Sequence, residues 1–185
     1  GDGNHAHPTQ ALLDAYSLME KVGDIKGLHI GIVGDILHSR VARSDIEIFK
    51  RLGAKVSLIG PPTLVPDEFT MYGVDIYYEF DEILPKLDVI NMLRIQRERQ
   101  QGSFFPSIRE YHKRFALTND RLKRCKKDVI VMHPGPINRG IEIDDEVADS
   151  SHSIINEQVT NGVAVRMAIF YLLAGGASLD EKEVE

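Results

Sequence analysis

The stretch "HIGIVGDILHSRVARSDIEIFKRLG", residues 29–53, decides how the whole chain is read. With the two residues before it, "GLHIGIV" (27–33) forms an apolar, strand-like run, Gly34 turns the chain, and "VARSDIEIFKRLG" follows as a helix that Gly53 stops. Strand, glycine turn and helix open many nucleotide-binding sheets. A dinucleotide fingerprint needs G-x-G-x-x-G, however, and residues 31–36 read G-I-V-G-D-I. An acidic residue should also end the second strand to hold a ribose hydroxyl, where Ile59-Gly60-Pro61-Pro62 stands instead. A nicotinamide cofactor is therefore not expected, and no other cofactor is implied. What the turn offers in place of a third glycine is Arg40.

Outward from this unit, strand-like and helix-like runs alternate. "AKVSLIG" (54–60), "VDIYYEF" (74–80), "DVINMLR" (88–94) and "DVIVMH" (128–133) read as further strands. Helical patterns fall at "TQALLDAYSLMEKV", "DEILPKL", "SIREYHKRF", "TNDRLKRCKK" and "NGVAVRMAIFYLLAG", and a short helix is expected from Pro66. Alternation of this kind specifies an α/β fold: a doubly wound, parallel, five-stranded Rossmann-like sheet with order 3-2-1-4-5. That order places strands 1 and 4 side by side at the topological switch point, so the turn at Gly34 and the turn after Leu93 should face one crevice. The first and last helices exceed what one sheet can cover. The last is apolar almost all round and should meet another surface.

The 185 residues suit one domain with extra helices, and 43% hydrophobic content supplies a core. No apolar run reaches the ~18 residues of a membrane span. The single cysteine, Cys125, excludes an internal disulfide framework and fits a reducing cytoplasm. The seven histidines lack metal-site spacing, and no metal is expected. Residues 94–127 carry 11 of the 22 lysines and arginines, yet the chain has a net charge of −6, which argues against general nucleic-acid binding. The chain opens on Gly1 rather than methionine, which leads us to expect a piece of a longer protein.

The expected crevice is cationic. Arg40 opens the helix after strand 1, where backbone N–H groups already favour anions, and Arg94 closes strand 4, followed by Gln96, Arg97 and Arg99. Guanidinium forks grip carboxylates through paired hydrogen bonds, so the set suits a small di-anion, although Arg97 reads equally well as a solvated surface residue. "HPTQ" (7–10) and "HPGP" (133–136) add histidines able to donate to a developing oxyanion, and a rigid loop with a cis Gly135–Pro136 bond expected. A histidine in such a place, taken alone, is more often a structural hydrogen-bonder.

Taken in order, "GDGNHAHPTQALLD", "GIVGDILHSRVARS", "MLRIQRERQ" and "VMHPGPINRGIEI" resemble the C-terminal half of aspartate carbamoyltransferases, from Gly1 to about Gly175. The ornithine-specific sibling family typically has Cys where Thr9 stands and His-Cys-Leu-Pro for "HPGP". The resemblance implies roles at matching positions. His7 would bond the carbonyl oxygen of carbamoyl phosphate, and Gln10 would hold the carbamoyl group. Arg40 and Arg94 would bind the carboxylates of L-aspartate with Gln96 nearby, and Arg99 would order a closing loop. Backbone carbonyls of Gly135 and Pro136 would orient the carbamoyl nitrogen and the attacking amine. Gly135 departs from the Leu or Ala common in relatives. The resemblance further implies residues 1–23 as an interdomain helix segment, 24–155 as the L-aspartate-binding domain, and 156–185 as a C-terminal interdomain helix and tail. The family's Ser-Thr-Arg-Thr phosphate cradle is not found in the sequence. The expected partners are therefore an N-terminal carbamoyl-phosphate domain and a trimer of catalytic chains, with or without regulatory or pathway-enzyme chains, and the chain alone is expected to be inactive. An ornithine-type or other transcarbamoylase is the alternative reading; an aspartate-binding or interaction module without catalysis is the rival from another class, and a nucleic-acid module based on the 94–127 segment is a second.

Overall fold

In the computed structural model, which describes residues 3, 5–95 and 107–175, the alternation becomes one parallel sheet wrapped by helices. Its strands are β1 (His29–Val33), β2 (Lys55–Ile59), β3 (Asp75–Tyr77), β4 (Val89–Met92) and β5 (Ile130–Met132), in the order β3-β2-β1-β4-β5. Every neighbouring pair is parallel, with Val33 opposite Ile59 on one side and Met92 on the other. The expected order is thus the observed one. The strands at both edges are shorter than their apolar runs. Phe80 begins helix α3 (Phe80–Ile83) instead of ending β3, and Leu84–Lys86 continues as a 3-10 turn.

Inner strands of a parallel sheet are covered on both faces, which explains their nearly unbroken burial. Period-two alternation sorts the side chains. Ile30 and Ile32 of β1 face a cluster with Leu18, Ile46 and Phe49, whereas Val33, Ile90 and Val131 face one with Phe80, Tyr111 and Phe115. The first layer comes from α1 (Pro8–Val22) and α2 (Arg40–Arg51), the second from α3 and α4 (Ile108–Phe115). Helix α7 (Ile155–Leu173) then lies along α1.

Local chemistry sets the helix starts. Pro8 occupies the first turn of α1, where its missing N–H costs nothing. The Ser39 hydroxyl accepts from the Ala42 N–H at 3.1 Å and caps α2, and Ser107 and Thr118 cap α4 and α5 (Asn119–Leu122) in the same way. The helix expected across "TNDRLKRCKK" is only that one turn of α5. Arg121 there turns inward, donating to the Ala116 and Lys113 carbonyls at 2.8 and 2.9 Å and to Asp81 at 2.9 Å. A further short helix, α6 (Asp145–Ala148), was not foreseen. On the α7 and α1 surfaces Phe170, Met167, Val163, Leu12 and Tyr16 are left exposed.

Candidate functional site

The carboxyl ends of β1 and β4 meet as the strand order requires. Gly34 makes that approach possible: its φ is +129°, and a Cβ there would lie 2.9 Å from the Leu93 carbonyl oxygen. Gly34 also donates its N–H to the Ile59 carbonyl at 2.8 Å, fastening the turn to β2. The loop then runs through Asp35, whose carboxylate bonds the His38 ring at 2.7 Å, to the Ser39 cap, and so delivers Arg40.

The result is a cavity of about 210 Å³ lined by His7, Gln10, Arg40, Arg94 and the Pro134-Gly135-Pro136 loop, with Ser39 and Leu93 beside them. Six of the residues singled out in the sequence, His7, Gln10, Arg40, Arg94, Gly135 and Pro136, therefore share one opening. Gln96 and Arg99, like Arg97, lie outside the described residues. Among the described residues no group of three His, Cys, Asp or Glu side chains could hold a metal ion.

Each wall has its own support. The His7 N–H donates to Ser44 Oγ at 2.8 Å, tying the start of α1 to α2. Burial, and then the charge of Arg40, hold the His7 imidazole below its ordinary pKa, so near neutral pH the ring is uncharged and its N–H can serve as a donor. Arg40 Nη1 donates to the Gly3 carbonyl at 2.8 Å. Arg94 is half-buried at the end of β4. One guanidinium from the start of α2 and one from the end of β4 thus line the same cavity, and guanidinium forks pair well with carboxylates. Cys125 is no competing nucleophile, because burial pushes its thiol up to about 11.

The "HPGP" loop is braced from behind. His133 is buried; its Nε2 faces Glu142 Oε1 at 3.1 Å, and its Nδ1 accepts the Gly135 N–H at 2.9 Å. The tautomer with the proton on Nε2 satisfies both contacts. The Gly135–Pro136 bond is cis, as expected, and Gly135 has a φ of +70°, a conformation that suits glycine better than any residue with a Cβ. Glu142 also accepts the Asn138 N–H at 2.6 Å.

Behind Gln10 lies a polar cluster that the sequence reading missed. Gln10 Nε2 donates to Asp14 Oδ1 at 2.9 Å, and Gln158 Nε2 donates to the same oxygen at 2.7 Å. Gln158 Oε1 in turn accepts the His133 N–H at 3.0 Å, and Arg166 donates to Gln10 Oε1 at 3.3 Å. The Asp14 carboxyl lies beside that of Asp45, one of whose oxygens accepts from Asn91 Nδ2 at 2.8 Å. Burial pushes Asp14 up to about 7 and Asp45 well above the usual carboxylate range. The available signal was position: Asp14 falls within the buried stripe of α1, and Asp45 shares the buried face of α2 with Ala42, Ile46 and Phe49.

Residues 26–173 match the family described as aspartate/ornithine carbamoyltransferase, Asp/Orn binding domain. The chain is 58% identical to the aspartate carbamoyltransferase catalytic subunit of Thermobifida fusca, over 96% of this chain and 56% of that one. It is 56% identical to the catalytic subunit of Halothermothrix orenii, over 98% of this chain and 58% of that one. The chain thus spans little more than half the length of these relatives. Among solved structures, aspartate transcarbamoylase from Trypanosoma cruzi in complex with N-(phosphonacetyl)-L-aspartic acid superposes with a TM-score of 0.80 at 29% identity, covering 92% of this chain and 57% of that one. Ornithine carbamoyltransferase from Pyrococcus furiosus superposes at 0.77, also at 29% identity, covering 91% of this chain and 56% of that one.

Proposed function

The chain belongs to the aspartate/ornithine carbamoyltransferase family, whose Asp/Orn binding domain it contains, and from that premise we propose that it supplies the L-aspartate half of an aspartate carbamoyltransferase site. The observation that carries this reading is the convergence of Arg40 and Arg94 on one cavity with His7 and Gln10. L-Aspartate has two carboxylates for two guanidiniums, whereas ornithine has one carboxylate and a side-chain ammonium that this pair of arginines would repel. By the resemblance, Gln96, beside Arg94 in sequence, would add an aspartate contact and Arg99 would order a closing loop; both lie outside the described residues.

The reaction follows from these positions. The free amine of aspartate attacks the carbamoyl carbon of carbamoyl phosphate while the backbone carbonyls of Gly135 and Pro136 align the amine and the carbamoyl nitrogen. Charge gathers on the carbamoyl oxygen, where the His7 N–H stabilises it, and Gln10 holds the carbamoyl group. The C–O bond to phosphate then breaks, the amine proton leaves with the phosphate, and N-carbamoyl-L-aspartate remains, a precursor for pyrimidine synthesis. The protein's contribution is positioning and charge stabilisation.

The phosphate end of the substrate calls for a second, carbamoyl-phosphate-binding half. Residues 1–23 and 156–185 form the seam to it and 24–155 the aspartate domain proper; the apolar surface left open on α1 and α7 supports this division. Without that half the chain is inactive. The assembly is a trimer of catalytic chains in the cytoplasm, with or without regulatory or pathway-enzyme chains; the names of the relatives, catalytic subunits, favour such an assembly.

In a full-length enzyme, Arg94→Ala should raise the KM for aspartate by about 30-fold or more, the scale of a lost charge-assisted hydrogen-bond pair, and leave carbamoyl-phosphate binding unchanged. Equal losses for both substrates would sink the assignment of the arginine clamp.

A further inference from the structure

Five polar side chains between α1, α2, β4 and α7 lie in the protein interior and, apart from Gln10, take no part in the reaction as derived. Asp14, Asp45 and Asn91 are wholly buried, and Gln158 and Gln10 nearly so. Their donors and acceptors can be assigned almost completely. Asp14 Oδ1 receives the amide protons of Gln10 and Gln158, and Asp45 Oδ2 receives one from Asn91. Among the described residues, no donor reaches Asp14 Oδ2 or Asp45 Oδ1. Arg166 is the cation acting on Asp14, and among the described residues no cation balances Asp45. Two neighbouring buried carboxylates cannot both be ionised, since mutual repulsion and lost hydration act together. One proton placed between Oδ2 of Asp14 and Oδ1 of Asp45 satisfies both atoms and leaves a single charge.

The orientation of Gln10 follows. An amide with its nitrogen on Asp14 must turn its oxygen the other way, and in the structure Arg166 meets that oxygen only at 3.3 Å. A carbamoyl group presents an NH₂, which needs an acceptor. We propose that Asp14 and Asp45 hold one proton between them and act as a positioning pair, turning the Gln10 carboxamide so that its carbonyl oxygen is offered to the carbamoyl NH₂. The same Asp14 oxygen holds Gln158, which fixes the His133 backbone at the root of the Pro134–Pro136 loop. Both protein contacts to the carbamoyl NH₂ thus depend on one buried carboxyl. This proposal rests on the transcarbamoylase reading above.

The test is a kcat series on the full-length enzyme at saturating carbamoyl phosphate and aspartate, with an infrared spectrum at pH 8. Asp45→Ala should lower kcat about tenfold, the scale of one misplaced hydrogen bond in a buried network. Asp45→Asn, whose amide can donate to Asp14 as the shared proton does, should restore most of that loss. In a Gln10→Ala background, Asp45→Ala should have no further effect, because a residue acting through Gln10 has nothing left to position. The wild type should show the C=O stretch of a protonated carboxyl, and Asp45→Asn should lack it. Equal losses in the Ala and Asn variants, or a tenfold loss that persists without Gln10, would reduce the pair to a packing role and overturn the proposal. Absence of the band overturns it even if the Ala variant fails to fold. A wild-type enzyme that carbamoylates no aspartate removes the reading beneath and the positioning role with it; the band then reports the shared proton alone.

Discussion

Substituting Asp45 by Asn should change how the stability of this chain depends on pH, and the size of the change follows from counting protons. Both carboxyls of the Asp14–Asp45 pair have folded-state pKa values raised above the unfolded carboxylate range, chiefly by burial. Above about pH 5 the unfolded chain has released both protons, while the folded chain keeps at least the shared one. A state that binds more protons is favoured by acid, so this pair makes the fold less stable as pH rises. The asparagine amide supplies the same hydrogen bond without a titrating proton and removes about one proton from the difference. One proton corresponds to roughly 1.4 kcal/mol per pH unit, so above pH 5 the variant should gain on the wild type with about that slope for as long as the fold keeps the proton. Comparing the two chains cancels the opposite contributions of His7 and His29, whose pKa values burial lowers in the fold and which favour it as pH rises through the histidine range. The chain has no tryptophan, so urea unfolding at pH 5, 6, 7 and 8 is best followed by far-ultraviolet circular dichroism. Parallel stability–pH curves for the two chains would refute the shared proton.

Two further substitutions test other parts of the argument. His7→Ala in the full-length enzyme should lower kcat by about 100-fold, in line with loss of one oxyanion donor, with little change in KM for aspartate; an unchanged turnover number would remove His7 from the chemistry. Arg121→Ala should destabilise the chain by about 3 kcal/mol, because it strips the Ala116 and Lys113 carbonyls, the first of them buried, of their donor and Asp81 of a partner, and denaturant midpoints will measure it.

The sheet order was legible because alternating strand and helix signals leave few right-handed, unknotted solutions. The cavity followed from that order, since the switch point names the strand ends that must meet, and Arg40 and Arg94 stand at those ends. Element boundaries were less legible. The run from Val74 to Phe80 is uniformly strand-like in composition, but Phe80 is claimed by the core under α3. The basic segment after Thr118 looked helical, yet Arg121 satisfies the carbonyls of a neighbouring turn and the helix ends after one. Asp14 was the least legible residue of all. An aspartate in a helix usually faces water, and what buries this one is Asp45 from α2 and Gln158 from α7, neither of which any local pattern connects to it.

The Asp14–Gln158 bond also says something about time. Its partners are 144 residues apart, as are Ser17 and Asn161 in the bond beside it. Contacts this distant in sequence close late, after the intervening chain has found its own arrangement. On a ribosome, α1 is made early and α7 near the end of this segment, so the carboxyl pair must wait, partly hydrated, through the synthesis of the whole sheet. The sheet and its arginines can form before α7 arrives, but the last brace on Gln10 and on the loop after His133 cannot. The carbamoyl side of the cavity is therefore the final part of this segment to be assembled.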